Sequence, residues 1–391
     1  MPLPLSFPSQ NTAQHPARPR VFALMIQRRS FLQMMAAGMA SAPGSWAMAA
    51  DPGETFELPM LGDLHFDKLE HHDFDWLASS HAGDVSQIKN YSKVTAESSG
   101  KLLAVAKQRV KQAEAPVPFV LQLGDLVEGL CGSEALAKKQ VSEALDWVDK
   151  AELGAPMAFC KGNHDVTGPG APQVYDTMMV PYLNRQLGDV KGAAFTRSAS
   201  DTLIVFFDAY NKGSLAWFEQ LMAEKPPRRL IFVIHPPVVP YTARATWHIF
   251  AKQPAERERL LNLLGKHRAI VLCGHLHKYG CVVRRTPTGK FVQLSISSVA
   301  TDPEALPKGE LKGLEAYGPD LINLEPKHSP ETVDVRRAVL EAEKPFIERF
   351  EYADTWGHAR LRFTRDTVKA DVCRGLKSET WRALNLSELV G

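Results

Sequence analysis

The residues able to do chemistry fall in five short blocks: Asp63-Leu64-His65, Gly124-Asp125, Gly162-Asn163-His164-Asp165, His235, and Gly274-His275-Leu276-His277. Their carboxylate, amide and imidazole groups offer oxygen and nitrogen donors in quantity, and no cysteine stands among them. That mix suits borderline-to-hard ions such as Mn, Fe or Zn and disfavours Cu(I) or iron–sulfur chemistry. Asp63 and His65, two residues apart on an extended segment, are expected to project to the same side and reach one ion, as are His275 and His277. Glycines before Asp125, Asn163 and His275 allow tight strand-to-loop turns that bring backbone close to a site. Taken singly, a Gly-Asp pair is usually a turn and a lone histidine such as His235 a core or surface residue. Five blocks in one chain reverse that balance and point to a metal site.

The blocks must be positioned by strands. Apolar runs at 119–121, 157–160, 230–234 and 270–273 each end at one of the blocks, the place where open α/β sheets gather ligands. Between the runs lie helical candidates at roughly 85–114, 133–151, 172–187, 214–223 and 253–266, with a further strand candidate at 203–208. This alternation argues for an α/β fold across residues 55–300. Beyond Gly280 the pattern changes to hairpins. One pairs 281–283 with 291–294 around Thr286-Pro287-Thr288-Gly289, and another alternates through 358–372. Residues 301–330, with five prolines and many charges, read as a surface insertion, and 331–350 as a helix.

Asp-x-His, Gly-Asp, Gly-Asn-His-Asp, a lone His and Gly-His-x-His, in that order over about 215 residues, resemble the calcineurin-like metallophosphoesterase superfamily. The resemblance implies a four-layer α/β/β/α sandwich of two mixed sheets flanked by helices, and two metal ions. Asp63, His65, Asp125 and His277 look like ligands of one ion; Asn163, His235, His275 and the shared Asp125 look like ligands of the other. His164 matches the family's catalytic histidine, with Asp165 orienting it. Such a pair of ions generates hydroxide for attack on phosphorus and neutralises the charge that develops. The implied protein is a phosphoesterase acting on a small phosphate ester, the diester ahead of the monoester. His65, and a Gly124–Glu128 stretch without tyrosine, separate the chain from the purple acid phosphatase branch and leave it closer to the bacterial phosphodiesterase-like branch. The alternatives are a phosphomonoesterase on the same site and a metallophosphoesterase-like scaffold that has lost catalysis.

Composition narrows the rest. Of 391 residues 45% are apolar and 23% charged, which excludes a disordered or collagen-like chain. Residues 1–49 hold four of the 46 basic side chains and none of the 44 acidic ones, so the remainder is near neutral and has no general attraction for nucleic acid. Gln27-Arg28-Arg29-Ser30-Phe31-Leu32, an uncharged stretch and Ala47-Met48-Ala49 resemble a bacterial twin-arginine export signal. The expected organisation is a signal at 1–49, a catalytic core at 50–300, an insertion and helix at 301–350, and a hairpin at 351–391 completing the second sheet. The resemblance makes the export machinery a partner and the periplasm or cell exterior the destination, with translation starting at Met1 or Met25. No stretch is apolar and long enough for a convincing permanent membrane span. The five cysteines do not form a disulfide framework, and Cys160 and Cys273 read as buried strand residues. His71, His72, Asp73, Asp75 and His81 read as a solvated loop near the first ion, and Tyr241, Arg244, Trp247 and His248 as a pocket wall or a helix cap.

Overall fold

The apolar runs become strands and the amphipathic stretches become helices in a computed structural model that describes residues 55–326 and 331–391. The expected export signal lies outside the described residues. The strands are β1 Phe56–Leu61, β2 Val120–Gln122, β3 Met157–Phe159, β4 Phe195–Ala199, β5 Thr202–Phe206, β6 Arg229–Val233, β7 Ile270–Cys273, β8 Tyr279–Thr286, β9 Gly289–Ser295, β10 Lys308–Lys312, β11 Ile347–Asp354, β12 Gly357–Phe363, β13 Val368–Arg374 and β14 Thr380–Asn385. The helices are α1 Phe74–Ser80, α2 Val85–Val94, α3 Gly100–Lys111, α4 Glu134–Ala151, α5 Ala171–Val174, α6 Val180–Leu187, α7 Ser214–Glu224, α8 Pro254–Lys266, α9 Pro319–Leu324, α10 Val333–Glu343 and α11 Leu386–Val390. None is long and apolar enough to cross a membrane.

Two mixed sheets result, of order β14-β13-β12-β1-β2-β3 and β10-β11-β8-β9-β7-β6-β5-β4. Alternation along the strands explains why the sheets stack. Ile231 and Val233 of β6 join Leu58 and Met60 of β1 in the core between the sheets. Leu230 and Phe232 face the other way, onto Phe218 of α7 and Leu260 of α8. On the far side Leu102 of α3 and Val141 of α4 pack against the smaller sheet. The α/β/β/α layering expected from the sequence is therefore present, and each fully buried Leu or Phe in it contributes about 1.5–3 kcal/mol.

The C-terminal third differs from the expected organisation. Strand β11 joins β8 in the larger sheet, but β12 runs antiparallel to β1 with Phe56 opposite Phe363, so β12, β13 and β14 complete the sheet that holds β1. The alternating apolar face of 358–372 indicated a hairpin correctly, but says nothing about which sheet edge it meets. The 301–350 segment is not wholly a surface insertion or a helix. It contributes β10 at a sheet edge, α10 ends at Glu343, and β11 begins at Ile347. Lys308, Lys312 and other charged residues hid β10, because an edge strand tolerates charge that a central strand does not.

Candidate metal centre

Parallel strands from both sheets aim their carboxyl ends at one place. Strands β1, β2 and β3 deliver Asp63, Asp125 and Asn163, while β6 and β7 deliver His235 and His275. All nine residues singled out in the sequence come to this region, eight of them directly around a common centre. Three groups of donor atoms lie within 4.8 Å of one another: Asp63, His65 and His277; Asp125, His235 and His275; and His65, Glu128 and His164.

The first two groups adjoin through Asp125. Its Oδ2 is 2.9 Å from His235 Nε2 and 3.8 Å from His65 Nε2, which puts this one oxygen between the two sets. Asn163 Oδ1 approaches His235 Nε2 at 3.2 Å, and His275 Nδ1 lies at the same distance from that nitrogen. On the other side the Nε2 atoms of His65 and His277 face each other at 3.0 Å. Two imidazole lone pairs pointed together repel unless a proton or a cation lies between them. The set of carboxylate oxygens, an amide oxygen and imidazole nitrogens, with no thiolate, fits a pair of divalent ions. The outer nitrogens support this. His235 Nδ1 faces the Leu123 carbonyl at 2.8 Å and His65 Nδ1 the Glu128 carboxylate at 2.7 Å, the arrangement that leaves Nε2 for a metal.

Convergence does not arise as the sequence suggested. Asp63 and His65 follow β1 rather than lie on an extended segment, and His65, Asp125, His275 and His277 all adopt positive φ, at 43°, 53°, 71° and 53°. Four of the eleven non-glycine residues with positive φ among those described are thus expected ligands. Such backbone is costly for residues with a Cβ and collects at functional sites. Surrounding contacts hold it: the amides of Leu64 and His65 both donate to the Asp125 carbonyl at 3.0 Å, and the His275 amide donates to Asp63 Oδ1 at 2.9 Å. Close approach also needs absent side chains. A Cβ on Gly162 would sit 2.1 Å from Asp125 Oδ1, and one on Gly274 2.8 Å from Asp63 Oδ2.

Charge in this buried basin is shared unequally. Burial pushes the Asp63 carboxyl up to about 7, with Asp125 adding to the rise. Burial would raise Asp125 too, but His235 and His164 outweigh it and hold that carboxyl well below its usual range. Burial also drives His65 and His275 well below their ordinary values and His277 to about 3, so these three imidazoles are neutral, as ligands must be. His164 behaves oppositely. Burial would lower it, but Glu128 and Asp125 override that and lift it to about 9.

Asp165 is not where the sequence reading put it. Its carboxylate accepts from the amides of Asp125, Val127 and Gly162, at 3.1, 3.2 and 2.8 Å, and so ties the loops after β2 and β3 together. The group beside His164 is Glu128, whose carbonyl takes the Nδ1 proton at 2.7 Å while its carboxylate lies 3.4 Å from the same nitrogen. Sequence reasoning also missed Tyr91. Its ring stacks on His65 at 4.1 Å and its hydroxyl meets His277 Nδ1 at 3.3 Å, so one side chain touches two expected ligands of the first ion. Neither residue carries a spacing signal. The one local hint is a π-helical stretch, Thr95–Ser99, following α2, where Thr95 Oγ1 donates to the His65 carbonyl at 3.1 Å.

The neighbouring clusters divide. His71 and His72 are buried rather than solvated: Asp67 Oδ1 binds His72 Nε2 at 2.7 Å and Gln140 Nε2 at 2.8 Å, and Asp67 Oδ2 accepts from Ser92 Oγ at 2.5 Å. This fully partnered network lies two residues beyond His65, and Asp73 caps α1. Trp247 and His248 line a cavity that adjoins Asn163 and His275, whereas Tyr241 is buried with its hydroxyl on the Lys278 carbonyl. Arg244 lies over the Trp247 ring at 4.9 Å. All five cysteines are free and buried.

A sequence model of the calcineurin-like phosphoesterase family matches residues 60–279, more than half of the chain. No curated protein matches. Among solved structures, that of PhoD shares 11% identity at a TM-score of 0.49, covering 86% of this chain and 69% of that one. The structure of GAP50, the anchor in the inner membrane complex of Plasmodium, shares 12% at 0.48, covering 85% and 89%. The NAD nucleotidase NadN of Haemophilus influenzae shares 10% at 0.36, covering 82% and 50%. At these values the structural likenesses carry no functional weight.

Proposed function

The chain belongs to the calcineurin-like phosphoesterase family, and from that premise we propose that it hydrolyses a small phosphate ester, diesters ahead of monoesters, at a centre for two metal ions drawn from Mn, Fe and Zn. The observation that carries the reading is the pair of adjoining donor groups with Asp125 Oδ2 between them and His164 alongside. Asp63, His65 and His277 would hold one ion, Asn163, His235 and His275 the other, and Asp125 both. When bound, such ions supply Lewis acidity to phosphoryl oxygens and make water acidic enough to ionise near neutral pH.

The chain's own residues do the rest. With Nδ1 committed to the Glu128 carbonyl, His164 keeps Nε2 for the substrate and delivers a proton to the departing ester oxygen. The neutral amide of Asn163 limits the anionic charge around the centre, which favours an anionic substrate. The open space beside Asn163 and His275 supports the diester preference, since a second ester group needs room. The Arg28-Arg29 pair supports export through the twin-arginine route to the periplasm or beyond, with Ala49 closing the signal.

The test is hydrolysis of bis-p-nitrophenyl phosphate against p-nitrophenyl phosphate by metal-stripped protein with Mn, Fe, Zn or Ni restored. Metal-dependent cleavage faster on the diester is expected. Faster cleavage of the monoester would overturn the diester preference, and inertness toward both with two ions bound would favour the non-catalytic scaffold.

A further inference from the structure

A cavity of about 530 Å³ opens directly from the donor groups, with Asn163 and His275 in its wall. A phosphoryl group fills only a small part of such a volume, which falls in the range of sites for whole small molecules. Its other walls are unlike the donor basin. Trp247 stands 6.0 Å from His275, ring centroid to ring centroid, tilted by 36°, and is braced by the Arg244 guanidinium 4.9 Å from its ring. Tyr210, on the loop after β5, lines the same space and is 40% exposed. An exposed aromatic ring adds little to folding, and at the mouth of a polar site it is a ready contact surface. Lys212 also lines the cavity and makes no hydrogen bond or ion pair among the described residues. His248 directs Nδ1 to the Ile249 carbonyl at 2.9 Å, and burial holds the ring neutral, which leaves Nε2 as an acceptor.

We propose that this cavity seats the organic group of the substrate, and that the group is a planar aromatic ring system, held between Tyr210 and Trp247 and carrying polar substituents that meet Lys212 and His248. This inference rests on the phosphoesterase reading and specifies its substrate class. Flat aromatic side chains favour a flat partner over a puckered or flexible one of equal apolar area, because offset ring contacts add about 0.5–1.5 kcal/mol beyond burial. An ammonium group and an imidazole acceptor in one small cavity fit a ring bearing both an acceptor and an N–H or O–H donor.

Rates with aryl and alkyl esters would confuse recognition with leaving-group reactivity, so the test uses inert phosphonates as competitive inhibitors of the metal-loaded protein. Inhibition constants for methyl-, cyclohexyl- and naphthylphosphonate are measured on the wild type, Tyr210→Ala and Trp247→Leu. Naphthylphosphonate is expected to bind at least tenfold more tightly than cyclohexylphosphonate, and that ratio is expected to fall toward one in each variant. Equal binding of the two ring compounds to the wild type overturns the inference, as does a ratio that survives both substitutions. Since Tyr210 is exposed, its variant keeps the test decisive if Trp247→Leu misfolds. Methylphosphonate separates the two failures. If it inhibits while the ratio is flat, only the substrate class is wrong; if no phosphonate binds the metal-loaded protein, the phosphoesterase reading itself falls.

Discussion

His164 stands outside the two donor groups that adjoin through Asp125: its amide donates to Asp125 Oδ1 at 2.8 Å and its ring meets His65 edge-on at 4.7 Å. A residue placed so can lose its imidazole without emptying the centre. His164→Ala is expected to lower turnover by about 10²–10⁴-fold, the span of general acid catalysis, while metal content measured by mass spectrometry stays near wild type. Equal loss of both would sink the assignment. Tyr91 predicts the converse. Tyr91→Phe keeps the ring on His65 and removes only the hydroxyl at His277 Nδ1, so affinity for one ion is expected to fall about 10–100-fold in a chelator competition, with unchanged circular dichroism. The contrast marks what was legible at this scale. Ligand-type residues announce themselves by kind and order, whereas Glu128 and Tyr91 act through contacts that only folding creates. Asp165 differs for the same reason: adjacency in sequence to His164 suggested a partnership, whereas the structure shows its carboxylate on three backbone amides.

Among the elements, the loops matter more than the strands they follow. Strand positions were legible because apolar runs bounded by glycine have few other interpretations, and β2, β3, β6 and β7 lie where the runs predicted. Strands β4, β10 and β14 were not legible, being edge strands or short polar ones whose residues need no buried alternation. The loop conformations were likewise invisible, since histidine and aspartate tolerate positive φ better than most residues, but nothing in the sequence marks which of them adopt it. Gly162 gives this scale its prediction. An added methyl would meet both Asp125 Oδ1, at 2.1 Å, and the Asp125 amide, at 2.2 Å, and backbone cannot yield as a flexible side chain can. Gly162→Ala is expected to lose bound metal and activity together while the sheets persist in far-ultraviolet circular dichroism. Full metal occupancy in a folded Gly162→Ala protein would count against Asp125 as the shared ligand.

At the scale of the whole molecule, His358, in β12, is one of the buried histidines expected to contribute to a loss of stability in acid. Burial, reinforced by the Arg109 charge, pulls this imidazole down to about 4, and its Nε2 lies 3.0 Å from the Lys377 carbonyl. Above the unfolded value of 6.5 the ring is neutral in both states and its contribution is complete. As pH falls from there through about 4, the unfolded chain takes up a proton that the folded protein refuses, and stability declines. His358→Gln is expected to flatten the fall in urea midpoint over that window; an unchanged slope would show that other groups carry it. The antiparallel pairing of β1 with β12 also bears on the order of manufacture. Asp63, the earliest donor, hangs from a strand whose neighbour arrives some 300 residues later on the ribosome, after every other donor has been made. Contacts of such sequence separation form slowly. A nascent chain stopped between His277 and Gly357 therefore owns all the ligands but lacks the strand that flanks β1 on one side, so full metal affinity is expected only once β12 has been made.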